Sequence, residues 1–100
     1  MILLREFEQR IHVDRKEELS KHVIEFALID AQRTRRYAKF YTDKFYITVT
    51  FNRDYTIQIS SNYRTDMRFN RDMRRLEDKK YTLHTTSQFI WYWMNKFRKM

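Results

Sequence analysis

The spacing of apolar and polar positions changes several times along this chain, and each change marks an element. Over residues 3–13, Phe7, Ile11 and Val13 fall on one side, with Glu6, Glu8 and His12 on the other. That loose alternation predicts a strand. Asp14-Arg15-Lys16-Glu17 has the spacing of a capping box, in which Asp14 accepts from the third helical N–H and Glu17 reaches back. A helix over about 15–36 follows, with Leu19, Val23, Phe26, Ala27, Thr34 and Tyr37 as its core stripe. Asp30 sits at the centre of that stripe, so it calls for an Arg or a Tyr hydroxyl partner inside the fold. Ile24 and Leu28 lie off the stripe, which makes the helix apolar on more than one side and offers these two to a protein partner.

The middle of the chain has a period of two. Phe45, Ile47, Val49 and Phe51 alternate with Tyr46, Thr48 and Thr50, and Tyr55, Ile57 and Ile59 alternate with Thr56, Gln58 and Ser60. Asn52-Arg53-Asp54 joins them as a hairpin, with Asn52 or Asp54 expected to take any left-handed position. After a turn at Ser61-Asn62, Tyr63, Thr65, Met67 and Phe69 alternate with Arg64, Asp66 and Arg68, predicting a third strand. The tetrapeptide at 51–54, Phe-Asn-Arg-Asp, recurs at 69–72. Two Asn-Asp turns at one end of the sheet would place Arg53 beside Arg71. Asn70 caps an expected short helix over 71–78, and 81–84 reads as a short strand. Thr85-Thr86-Ser87-Gln88 opens a final helix over 86–98, with Phe89, Ile90, Trp93, Met94 and Phe97 inward. Trp91 lies opposite that stripe, a position that marks a contact surface. The predicted fold is a single α+β domain over residues 1–100. It has an antiparallel sheet of about four to five strands, with a long helix in the N-terminal half and a C-terminal helix packed on it.

Composition removes whole classes of function. The 100 residues contain no Gly, Pro or Cys. Phosphate-cradling glycine loops and nucleophile elbows are excluded, because each needs a backbone that only Gly adopts. Disulfide frameworks, zinc knuckles and thiol chemistry are excluded with Cys. His12, His22 and His84 stand far apart, with no metal-ligand spacing. A small ribonuclease would need only one His with Arg and Glu, but no pattern here requires one, so neither an enzyme nor a cofactor is expected. No uncharged apolar run approaches the roughly 18 residues of a membrane span. Residues 1–6 lack a signal-peptide pattern, and the expectation is a cytoplasmic protein.

Charge points to a partner. The net charge is +8. Residues 1–32 hold five basic and seven acidic side chains, whereas 33–100 hold sixteen and six. Arg33, Arg35, Arg36 and Lys39 form one basic stretch, and Arg64, Arg68, Arg71, Arg74, Arg75, Lys79 and Lys80 form another. With Arg53, they suit phosphate contacts. Tyr37, Tyr41, Tyr46, Tyr55 and Tyr63 lie near them in sequence, and Arg with Tyr on a sheet suits stacked bases of RNA or single-stranded DNA. Tyr37, Tyr63 and Trp91 are the candidate stacking groups. The RNP aromatic motif needs Gly, so this is no ordinary RNA-recognition module.

In composition (basic, rich in aromatics, without Cys) the chain resembles the small early accessory proteins of large tailed phages. The resemblance implies action in the host cytoplasm on host enzymes, RNA metabolism or defence systems, and it carries over no site residue. The expected function is non-enzymatic binding of RNA or single strands through the Arg-rich surface. The alternative is a protein that inhibits or modulates a host enzyme, toxin or defence nuclease. It would dock through Trp91, Leu28 and Ile24, which also suit a homodimer.

Overall fold

The computed structural model describes residues 9–13, 19–78 and 82–100. In chain order the elements are β1 (Gln9–His12), α1 (Lys21–Thr34), β2 (Tyr37–Tyr41), β3 (Tyr46–Phe51), β4 (Ile57–Ser61), α2 (Met67–Asp78) and α3 (Leu83–Arg98). The four strands form one sheet in the order β1-β2-β3-β4. β2, β3 and β4 pair antiparallel, but β1 pairs parallel with β2, with α1 as the crossover. The fold is α+β, and the sheet is mixed rather than wholly antiparallel.

Alternation along β2, β3 and β4 is strict. Ala38, Phe40, Ile47, Val49, Phe51, Ile57 and Ile59 are all buried, and their neighbours in sequence are not. The buried side receives α1 and α3. Phe89, Trp93 and Phe97 of α3 meet Phe45, Tyr63 and Phe69 in a cluster of rings with centroids 4.9–6.3 Å apart. Such edge-on and tilted pairs add to the area the rings bury.

α1 departs from the expected stripe. Ile24, Ala27, Leu28 and Ala31 are buried, whereas Val23 and Phe26 are 43% and 76% exposed. The helix is turned by about a quarter of a turn from the predicted orientation. The reason is Asp30: the predicted face would bury its carboxylate, whereas the observed face carries two alanines that let the helix approach the sheet. Asp30 is half-buried, and its partner is Gln9, whose Nε2 donates to the carboxylate at 2.6 Å, not an Arg or Tyr. Ser20 caps the described helix, accepting from the His22 amide at 3.2 Å. The expected box at Asp14 and Glu17 lies outside the described residues.

Residues 67–69 belong to a helix, not a third strand. Asp66 starts it, accepting from the Arg68 and Phe69 amides at 2.8 and 3.1 Å. Asn70 therefore caps nothing, and its amide donates to the Arg64 carbonyl. In a helix, Phe69, Met73 and Leu76 share the side facing α3, Arg68 and Arg75 flank that side, and Arg71 and Arg74 fall away from it. The second Phe-Asn-Arg-Asp thus lies inside α2, so Arg53 and Arg71 are not paired at one sheet end. α3 starts a turn early: Thr82 and Thr85 form the capping box, and Leu83 and His84 are its first residues instead of a strand. Tyr81 of that expected strand is outside the described residues.

The left-handed positions are also not where expected. They are Arg35 (φ 52°) and Tyr55 (φ 68°), rather than Asn52 or Asp54. Arg35 closes α1, after which the Arg36 amide donates back to the Ala31 carbonyl at 3.0 Å. This glycine-free cap is why β2 begins at Tyr37, within what the sequence pattern assigned to the helix. The free edge of β4 is covered, since the Ile59 amide donates to Glu77 of α2 at 3.0 Å.

Candidate nucleic-acid interface

The face of the sheet opposite the helices carries the residues skipped by the core alternation. Strand register sorts them into three rows. Tyr37 stands beside Thr50 and Gln58, Arg10 beside Lys39, Thr48 and Ser60, and His12 beside Tyr41 and Tyr46. Arg10 and Lys39 therefore lie between Tyr37 on one side and His12, Tyr41 and Tyr46 on the other. The Arg10 guanidinium donates to the Tyr37 hydroxyl at 3.1 Å from Nε and 2.7 Å from Nη2, and lies 5.9 Å from the ring centre. Lys39 places its ammonium 5.6 Å from the Tyr41 ring and 5.1 Å from that of Tyr46. Beyond Tyr41, the His12 ring is 5.0 Å away, and its Nε2 lies 3.3 Å from Asp43.

The framework under this face is built without glycine. The Thr42 hydroxyl accepts from the Lys44 and Phe45 amides at 3.2 and 3.0 Å, closing the β2–β3 turn. Asn62 accepts from the Tyr46 amide at 2.9 Å and donates to the Lys44 carbonyl at 2.8 Å, which fixes the Tyr46 end. In the β3–β4 turn, Asp54 accepts from the Thr56 hydroxyl at 2.6 Å and from its amide at 3.2 Å. These bonds hold the Asp54 carboxyl below its ordinary value.

A second group of cations borders the Tyr37 end. The Phe51 amide donates to the Arg36 carbonyl at 2.8 Å, which ties the end of α1 to the end of β3. There the Arg35 guanidinium stacks 4.3 Å from the ring centre of Tyr55. Both left-handed residues thus meet in one cation–π contact. Arg33 and Arg53 are exposed nearby in the chain.

The third group lies on α2. Arg68, Arg71, Arg74 and Arg75 are exposed along it. Arg71 has a long contact to Asp72 (3.8 Å), and Arg74 donates to the Asn70 carbonyl at 3.4 Å. Arg64 donates to the Ser61 carbonyl at 3.3 Å. Lys79 and Lys80 lie outside the described residues. Arg68 faces α3, where its guanidinium is 5.3 Å from the Tyr92 ring and its Nη1 donates to the Tyr92 hydroxyl at 3.4 Å.

Several expected contact residues are engaged elsewhere. Tyr63 packs against four rings of the core cluster, so it offers no face for stacking a base. Ile24 and Leu28 are fully buried and form the core side of α1, not a docking face. Trp91 is half-buried, with the Lys21 ammonium 4.6 Å over its ring. Sequence reasoning missed Arg10, Tyr92 and Lys96. Arg10 was accessible to it, because it alternates with Gln9 and Ile11, but its place beside Lys39 comes from the parallel pairing.

Among the described residues, no group of three or more His, Asp and Glu is arranged to hold a metal ion, and no helix is long and apolar enough to cross a membrane. No family model, no curated protein and no solved structure matches the chain.

Proposed function

We propose that this chain is a non-enzymatic protein that binds single strands of RNA or DNA across the open face of its sheet. The observation that carries the reading is the row order on that face: Arg10 and Lys39 between Tyr37 on one side and Tyr41 and Tyr46 on the other. Bases stack on aromatic rings of sheets, and cations between the rings meet the phosphates that join those bases. Tyr37 and Tyr41 are four residues apart on one strand, about 13 Å, which suits more than one base. Arg33, Arg35, Arg36 and Arg53 extend the positive potential past the Tyr37 end. Arg64, Arg68, Arg71, Arg74 and Arg75 add to the field that draws a polyanion in.

The test is fluorescence anisotropy with labelled single-stranded RNA, single-stranded DNA and duplex at about 50 mM salt, where phosphate contacts are strongest. The single strands bind more tightly than duplex, and Tyr41→Ala or Lys39→Ala weakens them. Absence of binding to all three, or binding that the sheet-face variants leave unchanged, overturns the reading.

A further inference from the structure

α2 and α3 touch through Phe69, Phe89 and Trp93, and then part to leave an open cleft of about 380 Å³. That volume falls within the ~300–1,000 Å³ of small-ligand sites. Its floor is apolar, made by Leu76, Phe89 and Trp93, and its rim is cationic and polar, with Arg68, Arg75, Gln88 and Tyr92. Arg68 and Arg75 are two turns apart on α2, about 10 Å along the axis. Tyr92 stands between two cations, with the Lys96 ammonium 4.9 Å and the Arg68 guanidinium 5.3 Å from its ring. A hydrogen bond with Lys96, and after it the positive charges of Arg68 and Lys96, hold the Tyr92 phenol below its ordinary value. Among the described lining residues, Asp72 is the one carboxylate. Positive charge is in excess, in a concave site with an apolar base.

We infer that this cleft binds a nucleotide through its base and its phosphate. An apolar ligand would leave the excess positive charge of the cleft unmatched, and a bare phosphate would leave the floor exposed. A nucleotide satisfies both, with a planar base on Leu76, Phe89 and Trp93 and a phosphate held by Arg68 and Arg75 together. Gln88 offers an amide that both donates and accepts, which suits a base edge. The same chemistry has two sources: a free mononucleotide, or the phosphorylated terminal nucleotide of a strand. The site is separate from the sheet face and does not depend on that face binding nucleic acid.

The experiment is amide NMR titration of the full chain with AMP, adenosine and inorganic phosphate, and with short oligonucleotides that carry either a 5′-phosphate or a 5′-hydroxyl. AMP shifts amides of α2 and α3 and binds at least about tenfold more tightly than adenosine or phosphate. Arg75→Ala and Arg68→Ala, both at exposed positions, each weaken AMP about tenfold, the scale of a charge-assisted hydrogen bond. Tyr41→Ala leaves the AMP-induced shifts of the α2 and α3 amides in place, so loss of sheet-face binding and loss of this site are distinguishable. Bound phosphate also raises the pH at which Tyr92 ionises, because an anion disfavours the phenolate; tyrosinate absorbance reads this directly. A 5′-phosphate that strengthens oligonucleotide binding at α2 and α3 identifies the strand end as the source, and AMP binding alone identifies the free nucleotide. The inference is overturned if AMP leaves the α2 and α3 amides unmoved, or if Arg75→Ala and Arg68→Ala both bind AMP as the native chain does.

Discussion

The two faces of the sheet come from the same strands and differ by one residue of offset. On one face, Phe40, Ile47 and Val49 have no exposed surface. On the other, Tyr37, Lys39, Tyr41 and Tyr46 keep part of theirs, and cations lie against the rings. Large aromatic side chains serve both faces, but only the buried one gains the full transfer free energy of its rings. The open face keeps polar atoms within reach of solvent, and so of a ligand. On the proposed reading, stability and binding are carried by alternate residues, and substitutions should separate them.

The largest effect belongs to the buried face. Phe40→Ala should cost about 3–5 kcal/mol in a urea melt, from lost transfer energy and the cavity left behind. Its neighbour Tyr41→Ala should stay within about 1 kcal/mol in the same melt, while weakening single-strand binding by about 1–3 kcal/mol, the usual worth of one stacked base. Equal destabilisation by the two would break the comparison. Lys39→Gln and Arg10→Gln should each lower the slope of log affinity against log salt by about 0.7, the share of one phosphate on a single strand. A slope that does not change would show that neither cation meets a phosphate. The smallest effect concerns the turn that joins β3 to β4. Thr56→Val removes the hydroxyl that holds the Asp54 carboxyl low, so Asp54 should titrate at higher pH by NMR. The contribution of Asp54 is present above its ordinary value of 3.8 and is lost as pH falls through the lowered folded value. In the variant that contribution should be smaller and its loss complete at a higher pH, without altering binding at neutral pH.

Legibility followed locality. β3 and β4 could be read directly, because Ile47, Val49, Ile57 and Ile59 alternate with polar neighbours and a polar turn separates them. β2 was hidden: Tyr37 extends the apolar spacing of α1, and the helix ends at Arg35 without the Gly that usually signals such an end. α2 was misread because residues 63–69 satisfy a period of two, whereas Phe69, Met73 and Leu76 satisfy a helical one. Packing of Phe69 on the rings of α3 decides between them. Of the open face, Tyr37 and Lys39 were identified with the basic stretch that begins at Arg33. Arg10 joins them from 27 residues before Tyr37, through a pairing that leaves no local mark.

By itself, the sequence determined that sheet and helix would pack together in a basic chain. It also required every turn to be made without glycine, by side chains such as Asn52, Asp54 and Asn62. Periodicity sufficed for this, since it is a property of neighbours along the chain. Only the tertiary structure decided which side of α1 is buried and that the first strand runs parallel to the second. It alone placed Arg10 and Lys39 between Tyr37 and the pair Tyr41 and Tyr46. Two apolar stripes on one helix are equivalent until a partner surface is present. The cost of burying Asp30 then selects Ile24, Leu28 and Ala31, and the sheet that receives them leaves its other face to Arg10, Lys39 and the tyrosines.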